Sequence, residues 1–209
     1  MKIKGFWHIY LINHWYSIIL DQLRILLISG LYDQCEEINI SCIGDEIQKT
    51  YLEQFILTPY PKLKLKFYSN KAELYEFPAL RLIEEDNSEY LGFYFHLKAV
   101  TRPFDLMQNH WRSWLNEMIL NRWEENKNRV ENNYDVSSVN YFTNPDHFSG
   151  NFWWFNSQYI KSLPKIDTLD LTYRWYAEQW ICMRKGKFYF PQQTFDYGKD
   201  IYNIKIKKI

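Results

Sequence analysis

The first hundred positions alternate between short apolar blocks and stretches in which apolar residues recur three or four apart. "IKGFWHIYLI" (3–12) is dense in β-branched and aromatic residues and predicts a buried strand. "HWYSIILDQLRILLISG" (14–30) has helical spacing and stops at Gly30, a good C-terminal cap. Asp21 and Arg24 interrupt its apolar run, so it reads as an amphipathic helix and not as a membrane span. The pattern repeats: strand "EINISCIG" (37–44), helix "DEIQKTYLEQFIL" (45–57) ending before Pro59, strand "LKLKFYSN" (63–70), helix "ELYEFPALRLIEED" (73–86) beginning near Pro78, strand "YLGFYFHLKAV" (90–100). Strands joined by helices of this length lay out most simply as a mainly parallel sheet with right-handed crossovers, a Rossmann-type α/β fold in one compact domain over 1–209.

Beyond residue 100 the pattern changes. Residues 104–133 read as one long helix whose run "RWEENKNRVENN" is a solvated face. A tryptophan-rich block follows, then a turn at Pro164, a short helix or turn around "RWYAEQWICMRKG" (174–186), and a basic, β-branched end, "IYNIKIKKI" (201–209), read as a last strand or a solvated tail. The chain thus divides into a nucleotide-type half, 1–100, and an aromatic half, 101–209.

Charge narrows the function. Lysine plus arginine and aspartate plus glutamate both number 25, so no net field gathers nucleic acid or acidic membranes, and an anionic ligand must be held locally. Cys35, Cys42 and Cys182 show no metal-ligand spacing, and no signal peptide opens the chain; reduced cytoplasmic thiols are the simplest reading. The phosphate-loop and dinucleotide glycine patterns, the serine elbow and a helical zinc-histidine pair are all missing from the sequence.

Ligands of open parallel sheets bind beyond the carboxyl ends of the strands. The residues there are polar: Tyr10, Asn13 and His14 after the first strand, Ser69 and Asn70 after the third, His96 and Lys98 at the fourth. Each has an ordinary structural role as well, Asn13 as a helix cap and Ser69 and Asn70 as turn residues. Aromatics form 19% of the chain, with 17 tyrosines and 9 tryptophans. In "HFSGNFWW" (147–154), Ser149 and Asn151 offer hydrogen bonds, Gly150 permits close approach, and Trp153 or Trp154 suits a sugar-stacking surface. On a strand the two tryptophans point to opposite faces, so one packs the core and at most one meets a ligand.

The blocks "YFHLK" (94–98), "HFSGNFWW" (147–154), "YIKSLP" (159–164) and "YAEQWI" (176–181), with "ELYEFPALRLIEE" before them, resemble in kind and order those of a family of small glycosyltransferases found in bacterial surface-polysaccharide loci and some large DNA viruses. The resemblance covers most of the chain. It implies a GT-A-like fold, a nucleotide-diphosphate sugar donor, UDP-linked by analogy with the fold, and a saccharide, glycan or lipid-linked glycan acceptor. On it, 1–100 becomes the nucleotide-sugar half and 101–209 the acceptor half. Where the family usually reads "YFHTKG", this chain has Leu97 and Ala99 in place of the hydroxyl and the glycine.

GT-A enzymes commonly set an Asp-x-Asp pair at the end of the fourth strand to hold a divalent metal; here that place reads His96-Leu97-Lys98. Lys98 suits direct neutralisation of the leaving diphosphate. The competing arrangement keeps Mn2+ or Mg2+ through His96 with Asp86, Asp146 or Glu178. Glu178 matches the late acidic residue that takes the acceptor proton, and His147 is the second candidate as base or sugar donor. Arg81 and Glu76 are candidates for donor contact, with a surface ion pair as the plainer role. The localisation expected is cytoplasmic, with at most peripheral contact at the inner face of a membrane. Two other classes use the same residues: a carbohydrate-binding module built on the aromatics, and a glycoside hydrolase drawing two carboxylates from Asp167, Asp170 and Glu178.

Overall fold

In the computed structural model, which describes residues 1–191, the alternation of the first hundred positions becomes a layered α/β domain. β1 (Ile3–Tyr10) leads to α1 (Trp15–Ile28), whose inner stripe of Trp15, Ile18, Ile19, Leu23 and Leu26 is buried. Each such side chain contributes roughly 1.5–3 kcal/mol by leaving water. Gly30, at φ +79, takes the left-handed conformation that ends the helix and starts the short α2 (Leu31–Gln34). There follow β2 (Glu37–Ile43), α3 (Glu46–Leu52) continued by a π turn at Glu53–Leu57, β3 (Leu63–Ser69), α4 (Phe77–Glu85) and β4 (Leu91–His96).

The expected single long helix is two. α5 (Leu106–Leu115) runs through a π segment, Asn116–Asn121, and breaks at Arg122 (φ −90, ψ 39) before α6 (Trp123–Asn132). Asn126 holds the break, donating to the carbonyls of Met118 (2.7 Å) and Arg122 (2.9 Å). Short strands complete the domain: β5 (Val136–Ser138), β6 (Tyr141–Phe142), β7 (His147–Phe148) and β8 (Trp153–Asn156), then α7 (Ser157–Ile160), α8 (Tyr176–Gln179) and β9 (Phe188–Tyr189). The segment 201–209 lies outside the described residues.

The central sheet has the order β3-β2-β1-β4-β8-β5-β9 and is mostly parallel; β8 runs antiparallel to both its neighbours, β4 and β5. The β4–β8 pairing joins the two halves of the sequence in one sheet. One face is covered by α1, α3, α5 and α6, the other by α4 and the segments after β8. The chain first moves outward from β1 to β3, then returns past β1 to β4. With right-handed crossovers this reversal requires α4 to cross on the face opposite α1, as it does. β1 and β4 therefore flank a topological switch point, where open α/β sheets form a crevice.

Trp153 and Trp154 are both core residues, each 0% exposed and on opposite sheet faces as alternation requires. Their indole N–H groups donate inward, Trp153 to Asn151 Oδ1 (2.7 Å) and Trp154 to the Ile119 carbonyl (2.8 Å). The expectation that one of them offers a sugar surface is thereby corrected. Among the described residues all three cysteines are buried and unpaired. No helix there is long and apolar enough to cross a membrane.

Candidate active site

A cleft of about 630 Å³ opens at the carboxyl ends of β1 and β4. Its floor is set by strand register: His8 and His96 are direct neighbours across β1 and β4. The fully buried Gln22 of α1 fixes the end of β4 by donating to the His96 carbonyl (2.9 Å) and to Asn116 Oδ1 (3.1 Å). After His96 the chain turns tightly, with Val100 N–H donating to the Leu97 carbonyl (3.1 Å) and Ala99 at φ +70. The turn thus forms on an alanine in the left-handed conformation. Asn13, itself at φ +53, donates to the Val100 carbonyl (3.0 Å) and ties the turn to the loop after β1.

Glu76 anchors the inner wall. Tyr94 Oη donates to its Oε2 at 2.7 Å, Asn151 Nδ2 donates to the same oxygen at 2.6 Å, and His96 Nδ1 faces Oε1 at 3.5 Å. Burial alone raises this carboxyl, but His96 and His8 and the two hydrogen bonds outweigh it and hold the group below its usual range. Desolvation pushes buried His8 down to about 4, so at neutral pH the two hydrogen bonds and not a His8 charge sustain the anion. His96 Nε2 donates to the Gly150 carbonyl at 2.9 Å, and Asn151 reaches on to the Ala177 carbonyl at 3.2 Å. One buried network therefore ties residues 76, 94–96, 150–153 and 177.

Glu178 and Lys98 stand differently. Glu178, on α8, lines the cleft, and its side chain has no hydrogen-bond or ion-pair partner among the described residues. Burial first and the charge of Glu76 second raise its carboxyl, while Lys98, His96 and His147 pull the other way. Among the described residues Lys98 has no carboxylate in ion-pair range; its ammonium lies 4.0 Å over the Trp111 ring. Desolvation lowers its affinity for the proton, with Glu178 and Glu76 opposing. The Lys98 carbonyl is gripped by Arg112 at 3.1 Å. His147 Nδ1 donates to the Pro145 carbonyl at 2.8 Å, which leaves Nε2 with its lone pair available as an acceptor.

No family model matches this sequence, and no curated protein sequence matches it. Among solved structures, 4-diphosphocytidyl-2C-methyl-D-erythritol synthase from Anaerococcus prevotii aligns over 99% of each chain at 12% identity, with a TM-score of 0.48.

Of the residues expected from sequence, Tyr10, His96, Lys98, His147, Ser149 and Glu178 line the cleft. Others do not. His14 is exposed at the start of α1 with its ring edge-on to Phe104, and Ser69 and Asn70 end β3 in a turn where Ser69 Oγ accepts from Lys71 N–H (3.1 Å). Asn13 braces a turn and is not the helix cap, a place taken by His14. Arg81 forms a surface ion pair with Asp167 at 2.5 Å, which takes it out of donor binding. Gly150, at φ +96, makes room for Leu115, which a Cβ would meet at 2.7 Å, and not for a ligand. Asn151 is buried in the Glu76 network. His96, in the cleft lining, donates from Nε2 to the Gly150 carbonyl and sets Nδ1 3.5 Å from Glu76 Oε1.

Glu76, given above as a candidate for donor contact with a surface ion pair as its plainer role, lines the cleft and is its best-bonded carboxylate. His8, Tyr75, Arg102, Trp111, Arg174 and Trp175 also line the cleft and went unmarked in the sequence. The alternation in "GFWHIY" signals His8, two residues before Tyr10 on the same face. The residues do not fit a resident divalent cation. Asp86 is ion-paired with Lys4 at 2.6 Å, Asp146 is exposed and outside the cleft lining, and no group of three metal-ligating side chains gathers among the described residues.

Proposed function

We propose that this chain is a GT-A-like glycosyltransferase of the family its sequence blocks resemble, moving a sugar from a nucleotide-diphosphate donor, UDP-linked, to a saccharide or glycan acceptor. The observation that carries the reading is convergence. Three blocks far apart in sequence meet in one cleft at the sheet switch point, through His96 to Gly150, Asn151 to Ala177, and Lys98 and Glu178 in the same lining.

In this reading Lys98 meets the diphosphate. An ammonium taken from water and left without a carboxylate is poised to gain a strong charge-assisted contact from an arriving phosphate. Tyr10 and Ser149 contact the donor and sugar from either side. Glu178 takes the proton of the acceptor hydroxyl as its oxygen bonds to the anomeric carbon. The bond from that carbon to the phosphate oxygen breaks, and its electron pair leaves on the nucleoside diphosphate. Configuration inverts. A carboxyl raised by burial is nearer in basicity to its task than a solvated one. No step is routed through a metal. A cytoplasmic site of action, with at most peripheral contact at a membrane carrying a lipid-linked acceptor, belongs to the same proposal.

The two other classes lose their supports. Neither Trp153 nor Trp154 is open to a sugar, which removes the surface a binding module was expected to use. A hydrolase needs two facing carboxylates open to the sugar, but Asp167 and Asp170 lie outside the cleft, and Glu76, which shares it with Glu178, has Oε2 bonded to Tyr94 and Asn151 and Oε1 facing His96. The test is incubation with a panel of labelled nucleotide sugars, following release of nucleoside diphosphate. Release by the wild type and its loss in Glu178→Gln, with donor binding retained, is the expected result; no release from any donor, with or without acceptor glycans, refutes it.

A further inference from the structure

Among the described tryptophans, Trp175 is the one classed as exposed, at 45%, and it lies on the cleft. The guanidinium of Arg174 stands 4.5 Å from its ring. Neither Arg174 nor Arg102, which also lines the cleft, has a carboxylate within ion-pair distance among the described residues, and both are close enough to Lys98 to disfavour its charge. Thus the cleft holds two cation-on-indole pairs, Lys98 over Trp111 and Arg174 over Trp175. They differ in place: Arg174 and Trp175 lie in the turn that leads into α8, four and three residues before the proposed base, Glu178. Tyr75, 37% exposed and held at φ +48 where side-chain-bearing residues rarely sit, adds a further ring to the cleft.

An open indole beside an unpaired guanidinium suits a ligand with an apolar face and an anionic substituent. Neutral sugars use the first feature and leave the second unpaired. We infer that the Arg174–Trp175 pair, with Arg102, is an acceptor subsite for an acidic saccharide, its ring on Trp175, its carboxylate on Arg174 and its reacting hydroxyl toward Glu178. This rests on the transferase reading for the role of the sugar, though not for its binding.

The experiment is calorimetric titration, with UDP present, of methyl glycosides of glucuronic and galacturonic acid against those of glucose and galactose. The uronides are expected to bind at least ten-fold more tightly, a preference lost in Arg174→Gln and weakened binding of both kinds in Trp175→Ala. Equal affinity for acidic and neutral sugars, no binding of any of them, or a preference that survives Arg174→Gln overturns the inference. The alternative anion is a donor phosphate, and inorganic pyrophosphate separates the two. If Arg174→Gln weakens pyrophosphate as much as Lys98→Ala does, the arginine serves the donor and the acceptor assignment falls. Uronide preference without nucleotide binding leaves this subsite standing and removes the transferase; nucleotide binding without uronide preference does the reverse.

Discussion

The two carboxylates of the cleft, Glu76 on one wall and Glu178 on the other, are displaced in opposite directions by the same cavity. Both are taken from water. Glu76 receives compensation from Tyr94, Asn151 and facing imidazole, and stays charged more readily than in solution. Glu178 receives no hydrogen bond, feels Glu76, and holds its proton more readily. Burial therefore does not tell a structural carboxylate from a reactive one; the difference lies in whether its lone pairs are already used. The bonded one joins four segments, and the unbonded one is left for an incoming proton.

The comparison breaks most visibly in activity. Glu178→Gln is expected to lower transfer by roughly 10²–10⁴-fold, the usual worth of a general base, while chemical denaturation shows stability within about 0.5 kcal/mol, since no contact is lost. Because its carboxyl is raised, its stabilising contribution is present in acid as the neutral form and is lost as pH rises through the raised value. The ionised base appears over that same rise, so kcat/KM should have its acid limb above the range of an ordinary glutamate, and that limb should vanish in the glutamine variant.

Glu76→Ala should do the opposite in stability. It strands the Tyr94 hydroxyl and the Asn151 amide in the interior and is expected to cost about 3 kcal/mol. The Glu76 carboxyl is depressed, so its contribution exists above the unfolded value and is lost as pH falls through the folded one. His8 adds to acid lability from the same wall. With a pKa of about 4 when folded against 6.5 when unfolded, it destabilises the fold as pH drops across that window, by up to about 3 kcal/mol at 1.36 kcal/mol per unit. Denaturation midpoints of His8→Gln measured from pH 7 to 4 should be flatter than those of the wild type.

Smaller effects sharpen the picture at the cleft turn. Lys98→Ala should weaken a nucleoside diphosphate by roughly ten-fold or more while leaving the nucleoside nearly unchanged, as expected for losing one charge-assisted contact. Ala99→Gly, which relieves a left-handed alanine at φ +70, should raise stability by less than about 1 kcal/mol, since relaxed strain is partly offset by glycine's freedom in the unfolded chain.

Much of the frame was legible. Strands β1 to β4 and their helices follow from apolar spacing and from Gly30 and Pro78, and strand order then places Tyr10, His96 and Lys98 at one edge. Reversal of β8 was not, because a strand of four residues, Trp153–Asn156, carries no direction in its pattern. The break at Arg122 was hidden by a π segment that preserves helical spacing of apolar residues on both sides. The burial of Glu76 was not legible for a conformational reason: Tyr75, at φ +48 and ψ −134, turns the start of α4 so that its first carboxylate enters the interior. Composition could not say which tryptophans were buried. Trp153 and Trp154 sit on a central strand, whereas Trp175 sits in a turn before α8, and only that surrounding structure separates a core ring from an exposed one.

The most direct measurement is calorimetric titration of the intact protein with UDP, GDP and dTDP, each with manganese and with EDTA, beside the Lys98→Ala variant. The account predicts micromolar binding of one nucleotide, UDP, that persists in EDTA and drops sharply in the variant. Absence of binding to all three under both conditions would contradict it.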